Sequence, residues 1–171
     1  KRERREKLHA DAARELGVPL VYVNQVGATD EILFDGASFA VDSQGKPLGR
    51  LPSFQDAFST IDLATKRWDD SSESVLEDQA PTEIEVLNRA LVRGIREYFH
   101  RNRAKSAILG LSGGIDSALV AAFAVEALGA VNVTGVAMPS QYSSAHSLED
   151  AQILARNLGI RYEVRPIKFM F

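Results

Sequence analysis

The strongest constraint on the fold is the alternation of strands and helices between residues 107 and 167. A short apolar strand, Ala107–Leu111, is followed by Ala118–Leu128, which is almost wholly apolar over the length of a helix. A helix that is apolar on every side is typical of the centre of an α/β protein. Two further strands, predicted over Asn132–Met138 and Arg161–Ile167, enclose a second helix. This order favours right-handed crossovers and a parallel sheet.

The segment between the first strand and the apolar helix reads SGGIDS, residues Ser112–Ser117. Ligands of open parallel sheets bind at the carboxyl ends of the strands. Gly113 and Gly114 can expose backbone amides with no side chain in the way. The start of the following helix adds more amides and the positive end of a dipole. We therefore predict a phosphate cradle, with hydroxyl donors from Ser112 and Ser117; the alternative is a tight bend that the glycines merely permit.

Asp116 distinguishes this loop from other phosphate loops. A Walker A loop carries a lysine for the β- and γ-phosphates, but no lysine follows Gly114, and a G-x-G-x-x-G fingerprint is also absent. An acid within a phosphate cradle is repulsive unless a cation lies between, so Asp116 is predicted to ligate Mg²⁺. Such a loop would hold pyrophosphate during reaction at the α-phosphorus, which indicates nucleotidyl transfer.

A sharp change in composition divides the chain. The segment Trp68–Pro81 has five acidic residues, no basic residue and three serines, which predicts an exposed linker over residues 68–81. Segments 1–67 and 82–171 are then separate domains or parts of domains. A capping box, Thr82 with Glu85, opens a helix in the second segment. Its apolar stripe is predicted to comprise Ile84, Leu87, Leu91, Ile95 and Tyr98. A later capping box, Ser147–Asp150, is predicted to open the helix before the third strand.

The first segment combines one helix with several strands. The helix is predicted over about Lys1–Leu16, with Gly17 as its stop. Leu20–Val26 is nearly continuous in its hydrophobicity, as in a strand buried on both faces. Two longer strands, Ile32–Asp42 and Pro47–Phe54, are expected to form a hairpin, with an edge strand after them. The apolar stripe of the helix is predicted to comprise Leu8, Ala12, Ala13 and Leu16. The edge strand is predicted over Phe58–Leu63.

Composition excludes several classes of function. The chain has 171 residues, a net charge of −3 and no cysteine. A disulfide framework, a thiolate zinc site and a cysteine nucleophile are therefore excluded from this chain, and a strongly cationic nucleic-acid binder is disfavoured. The longest apolar stretch is far shorter than the ~20 residues of a membrane span, and no secretory signal is recognisable. We expect a cytoplasmic protein, and the initial lysine suggests numbering from within a longer polypeptide.

The patterns around three histidines and one aspartate do not favour metal binding or acid–base catalysis. His9 and His100 lie on charged helix faces and are predicted to be exposed, whereas His146 is predicted to pack at a helix start. Asp35 belongs to a small acidic cluster, but the Asp-Gly pair that it forms favours a turn over acid–base catalysis.

Two sets of motifs resemble known families. SGGIDS is the loop motif of N-type ATP pyrophosphatases, and three longer stretches resemble the start of the synthetase domain of NAD synthetases: AILGLSGGIDSALVAAFAVEALG, VTGVAMPSQYSS and SLEDAQILARNLGI. Earlier stretches resemble the end of the nitrilase-like glutaminase domain of glutamine-dependent NAD synthetases: KRERRE, GVPLVYVNQVG and DEILFDGASFAVD. The resemblance implies an α/β chain, with the C-terminal part of a nitrilase-like sandwich (1–67) followed by an incomplete, Rossmann-like adenine nucleotide alpha hydrolase domain (82–171).

The resemblance also implies a ligase reaction. ATP would adenylate the nicotinate carboxylate of deamido-NAD with loss of pyrophosphate, and glutamine-derived ammonia would then displace AMP. The ATP cradle would comprise Gly110, Leu111, Ser112, Gly113, Gly114, Ile115, Asp116 and Ser117, with Asp116 on magnesium. Met138, Pro139 and the serine-rich loop up to Ser144 would lie near the adenosine. No catalytic residue is assigned, because the Cys–Glu–Lys triad of these glutaminases is not in this chain, which is expected to be an internal fragment.

Three further residues are assigned by the resemblance. Tyr98 and Phe99 would face the dinucleotide across the interface of a homo-oligomer, although their helical spacing favours core packing over ligand stacking. Lys1 would lie near the bound glutamine, with a plain surface lysine as the alternative. Two other functions stay open: another pyrophosphate-loop amidotransferase or thiolating enzyme, and a non-catalytic ATP-binding module.

Overall fold

The structure, a computed structural model, describes residues 2–68, 81–141 and 143–167. The chain forms two compact units, Lys1–Ala90 and Leu91–Phe171. Most of the predicted acidic linker lies outside the described residues, so the predicted boundaries at 68 and 81 stay a prediction. None of the described helices is long and apolar enough to cross a membrane.

The first unit contains one helix and small antiparallel sheets. Strand β4 pairs with both β1 and β5, β2 pairs with β3, and β6 pairs with β7. The described elements are α1 (Arg2–Leu16), β1 (Leu20–Tyr22), β2 (Val26–Thr29), β3 (Ile32–Asp35), β4 (Phe39–Val41), β5 (Pro47–Arg50), β6 (Ile61–Asp62) and β7 (Arg67–Trp68).

The predicted hairpin is confirmed between β4 and β5, but other strands of this unit differ from expectation. Leu20–Val26 is not one strand buried on both faces: β1 ends at Tyr22, and Val23 is 79% exposed. Ile32–Asp42 is interrupted because Gly36 and Ala37 both have positive φ, +60° and +48°, which ends the ladder. The predicted edge strand Phe58–Leu63 shrinks to the two residues of β6.

Helix α1 contacts its sheet through polar side chains as well as Ala13. Leu8 and Leu16, predicted to be in the apolar stripe, are 66% and 68% exposed. The Arg5 guanidinium instead donates two hydrogen bonds of 2.9 Å to the Asp35 carboxylate. His9, predicted to be exposed, packs edge-on against Tyr22 with 4.7 Å between ring centroids. The Asp35 carboxylate also accepts a hydrogen bond of 2.7 Å from the Asn24 side-chain amide, so it joins α1 to the strands of this unit.

The turn of the β4–β5 hairpin is stabilised by Asp42. Its Oδ1 accepts hydrogen bonds of 2.9 Å from the amides of Gln44 and Lys46, and Lys66 Nζ lies 3.5 Å from Oδ2. The Lys46 amide above all, helped by the Gln44 amide and the Lys66 charge, holds the pKa of Asp42 below its usual value, against the opposing effect of burial. The ionised carboxylate therefore stabilises the folded state.

Asp42→Asn is expected to lower the free energy of unfolding at pH 7. Because the folded-state pKa is the lower one, the wild-type advantage exists above the unfolded value of about 3.9 and disappears as the pH falls through the folded value. Denaturant unfolding of both proteins between pH 7 and pH 3 measures the difference. Asp30→Asn, at an exposed turn acid, is the control, and a difference independent of pH would contradict the assignment.

The second unit confirms the predicted strand–helix order. Its three described strands form a parallel sheet in the order β10-β9-β8. Leu111, Ala121, Val133, Ala151 and Ile160 form the buried core around it. The described elements from the end of the first unit onward are α2 (Glu83–Arg101), β8 (Ala107–Gly110), α3 (Ile115–Leu128), β9 (Val133–Ala137), α4 (Ala145–Leu158) and β10 (Arg161–Val164).

Three details of the second unit differ from expectation. Helix α3 is not buried on every side, since Leu119 and Val120 are 53% and 56% exposed. Helix α4 begins before the predicted capping box, because the Ser144 hydroxyl accepts the Ser147 amide and acts as the N-cap. This earlier start leaves His146 exposed instead of packed.

Helix α2 begins as predicted but buries a different face. The Thr82 amide donates to Glu85 (2.7 Å) and the Glu85 amide donates to the Thr82 hydroxyl (3.4 Å), which confirms the capping box. Val92 is the buried residue of this helix. The predicted apolar stripe is largely exposed, and its exposed members are Ile84, Leu87, Leu91 and Tyr98.

Candidate nucleotide site

A cavity lies where the carboxyl ends of β8 and β9 meet. Because the two strands are parallel, the segments that follow them leave the sheet at the same edge. The cavity has a volume of about 260 Å³, and its lining includes Gly110, Leu111, Ser112, Met138, Ser147 and Leu148. The structure thus brings Gly110, Leu111 and Ser112 of the predicted cradle together with the predicted adenosine neighbour Met138, at the edge where ligands of open α/β sheets bind. The rest of the predicted cradle, Gly113–Ser117, follows directly in the chain but is not part of this lining.

The loop after β8 is fixed to the sheet at its first residue, whereas its last residues form a helix start that no side chain caps. The Leu111 amide donates to Val136 O at 2.9 Å, and the Leu111 side chain is 3% exposed, so the strand stays in register up to the loop. Gly114, in extended conformation, is the N-cap of α3, and no side chain caps this helix start. The amides of the first turn of α3 are therefore left without a capping side chain, as an anion site requires.

Gly113 is required by a close approach of α4. Its φ is +81°, and a Cβ built there would lie 2.4 Å from Ser147 O and 2.7 Å from Ser147 Cα. No side chain fits against backbone at such distances. The first turn of α4 therefore supports the loop directly.

The two loop serines form hydrogen bonds within the loop. The Ser117 hydroxyl donates to Gly114 O (2.9 Å), and the Ser117 Oγ accepts the Ser112 amide (3.2 Å). The Ser112 Oγ accepts the Gly114 amide (3.2 Å) and lies 3.0 Å from the Ser117 Oγ. The loop thus has a defined shape of its own.

Asp116 is an exposed acid in the first turn of α3. Within residues 2–68, 81–141 and 143–167, no three His, Cys, Asp or Glu side chains are grouped so that they could hold a metal ion. A single carboxylate beside a phosphate cradle still fits Mg²⁺, which keeps several waters and is held by one or two carboxylates together with substrate phosphates.

The remaining predicted residues lie elsewhere. Tyr98 is 66% exposed on α2, so core packing, the favoured reading of its spacing, is wrong for it. Its ring lies 6.0 Å from the ring of Phe99 in an edge-on arrangement. Neither residue is part of the cavity lining. Lys1 lies outside the described residues.

Comparison with known proteins identifies the family. The sequence model of the NAD synthase family matches residues 87–171, which include the loop and the cavity lining. The matched part of the chain, residues 87–171, is thus a segment of the NAD synthase family. The glutamine-dependent NAD(+) synthetase of Synechocystis is 52% identical over 167 residues, covering 95% of this chain and 29% of that protein.

Other relatives extend the similarity to the first unit. The Rhodobacter capsulatus glutamine-dependent NAD(+) synthetase is 44% identical over 154 residues, covering 90% of this chain and 28% of that protein. A glutamine-dependent NAD+ synthetase from Acinetobacter baumannii, solved in complex with ADP, matches 98% of this chain and 32% of its own at a TM-score of 0.85 and 37% identity. The chain thus spans about three-tenths of the length of the relatives it matches.

Sequence reasoning missed three lining residues, Ala137 at the end of β9 and Ser147 and Leu148 in the first turn of α4. The available signal was their position: a helix start after a parallel strand lies at the same sheet edge as the loop. The predicted capping box lies in the first turn of this helix, but nothing local in the sequence indicates that Gly113 rests against Ser147.

Proposed function

We propose that this chain takes part in the ATP-dependent amidation of deamido-NAD to NAD. In this reaction the nicotinate carboxylate attacks the α-phosphorus of ATP and pyrophosphate leaves. Ammonia then attacks the adenylated carbonyl and AMP leaves. The observation that carries the proposal is the SGGIDS loop, placed at the edge of a parallel sheet within a segment of the NAD synthase family.

The loop would hold the phosphates of ATP. The uncapped amides of α3 and the backbone of Gly113 and Gly114 supply donors, and Asp116 would hold Mg²⁺ against the phosphate oxygens. Magnesium would neutralise charge that develops on the leaving pyrophosphate. The apolar side chains of the cavity lining, Met138 and Leu148, suit a purine ring.

The first segment, residues 1–67, is proposed to be the C-terminal part of a nitrilase-like glutaminase domain, joined by linker 68–81 to synthetase residues 82–171. Its similarity to glutamine-dependent relatives over 95% of the chain supports this division. Glutamine is the proposed ammonia source, with Lys1 beside it. Amide cleavage needs an activated nucleophile, and this chain holds no cysteine to supply the thiol.

A homo-oligomer is proposed on the basis of α2. Its exposed apolar side chains repeat every three or four residues, so they lie along one face of the helix. A second copy could cover this face and bring Tyr98 and Phe99 to the dinucleotide. A cytoplasmic location and the absence of nucleic-acid and membrane partners stay predictions.

Titration of the full-length protein with deamido-NAD tests the function. With Mg²⁺-ATP and ammonium chloride present, pyrophosphate release and NAD formation should both rise with deamido-NAD and saturate together. Pyrophosphate release that does not depend on the deamido-NAD concentration would indicate that another substrate accepts the adenylyl group, as in a different pyrophosphate-loop amidotransferase. Nucleotide binding without any pyrophosphate release would indicate a non-catalytic module.

A further inference from the structure

Both hydroxyl protons of the phosphate loop, those of Ser112 and Ser117, are already used in hydrogen bonds within the loop. A serine hydroxyl has one proton and two acceptor positions. The Ser117 proton is used on Gly114 O at 2.9 Å. The 3.0 Å contact between the two hydroxyl oxygens therefore needs the Ser112 proton, so Ser112 donates and Ser117 accepts. Each proton is thereby assigned to a bond within the loop.

The same two oxygens also occupy backbone donors. Ser117 Oγ accepts the Ser112 amide, and Ser112 Oγ accepts the Gly114 amide, both at 3.2 Å. Two of the amides that could bind a phosphate oxygen are thus already hydrogen-bonded to hydroxyl oxygens. The four bonds form a closed network that joins the end of β8 to the start of α3.

We propose that Ser112 and Ser117 are positioning residues whose hydroxyl oxygens take the place of phosphate oxygens whenever no nucleotide is bound, and that nucleotide binding exchanges this network for bonds to phosphate. The inference rests on the proposed function for the identity of the ligand. It differs from the sequence-based expectation, in which both hydroxyls are simply free donors.

The exchange is favourable because a phosphate oxygen is the stronger acceptor. Hydrogen bonds to an ionised acceptor are shorter and roughly twice as strong as those between neutral groups. Once phosphate takes the amides of Ser112 and Gly114, both hydroxyls are released and their protons can turn to the same anion. Because Ser112 is exposed and Ser117 half-buried, this rotation displaces no core side chain.

Amide hydrogen exchange in the full-length protein, resolved by residue, tests the proposal. Without nucleotide, Ser112→Ala should accelerate exchange of the Gly114 amide, and Ser117→Ala that of the Ser112 amide. The net free energy of one hydrogen bond corresponds to an increase of about 2- to 10-fold in the exchange rate of that amide. Ser112→Thr, which keeps the hydroxyl, should restore slow exchange at Gly114. Ser106→Ala, at an exposed serine before β8, is the matched control and should leave both amides unchanged.

Addition of inorganic pyrophosphate with Mg²⁺ tests the second half. It should slow exchange at both amides again in the alanine variants, because phosphate oxygens replace the missing hydroxyls. Unchanged exchange in the alanine variants without nucleotide would overturn the network. If pyrophosphate does not slow the fast amide exchange in the alanine variants, phosphate oxygens do not take the place of the serine hydroxyls, and this part of the proposal is wrong. The nucleotide-free arm needs no catalysis, so failure to make NAD would count against the proposed function alone.

Discussion

Asp116→Asn is expected to reduce magnesium-dependent pyrophosphate release by about a hundredfold or more. Asparagine keeps the size and position of the side chain but removes the charge that a hard cation requires. Charge stabilisation by a bound metal is worth several kcal/mol in the transition state, which corresponds to at least this factor. The fold should persist, because Asp116 is an exposed residue in the first turn of α3; only a helix-dipole contribution of about 0.3–1 kcal/mol is at stake.

Pyrophosphate release as a function of Mg²⁺ concentration measures the effect in the full-length protein. Asp150→Asn makes the same chemical change at an exposed acid of α4 and should keep wild-type activity. Higher Mg²⁺ should not restore the Asp116 variant fully. Wild-type pyrophosphate release by Asp116→Asn would remove this residue from the metal site.

Gly113→Ala is expected to weaken ATP binding by about tenfold or more. A left-handed conformation alone costs about 1–2 kcal/mol for a residue with a Cβ. The new methyl would also lie 2.4 Å from Ser147 O, an atom of the backbone that cannot rotate away. Either the loop or the first turn of α4 must move, so the cradle amides lose their alignment.

Gly129→Ala separates the cost of the left-handed backbone conformation from the effect of the close contact with Ser147. Its φ of +84° matches the +81° of Gly113, but a Cβ there meets nothing within 4 Å. We expect Gly129→Ala to lose stability from backbone strain while ATP affinity, measured by calorimetry, stays near wild type. Equal affinities for ATP in the two variants would show that the contact with Ser147 does not shape the site.

Local patterns predicted the second unit well. The strand–helix order and the Thr82–Glu85 capping box were confirmed because each depends on neighbours within a few residues. The parallel sheet was confirmed because a helix between two strands of one sheet makes a crossover connection. The helix start at Ser144 was misplaced by three residues, since two serines three positions apart, Ser144 and Ser147, offer the same capping chemistry.

Predictions of burial failed where long-range contacts decide it. The aliphatic side chains of α1 predicted an apolar stripe, yet Arg5 and His9 contact the sheet through Asp35 and Tyr22. An Arg–Asp pair between residues 30 positions apart leaves no periodic signal in sequence. Hydrophobicity likewise misjudged Leu20–Val26, because its pairing partner β4 is only three residues long.

The sequence by itself determined the order of elements and the residues of the phosphate loop, because glycine conformations, capping and hydrophobic period are local properties of the chain. Only the tertiary structure decided what surrounds that loop: the backbone of Ser147 against Gly113, the closed hydrogen bonds of Ser112 and Ser117, and a cavity completed by Leu148. These contacts depend on the parallel pairing of β8 with β9, which brings segments separated by about a helix length to one sheet edge.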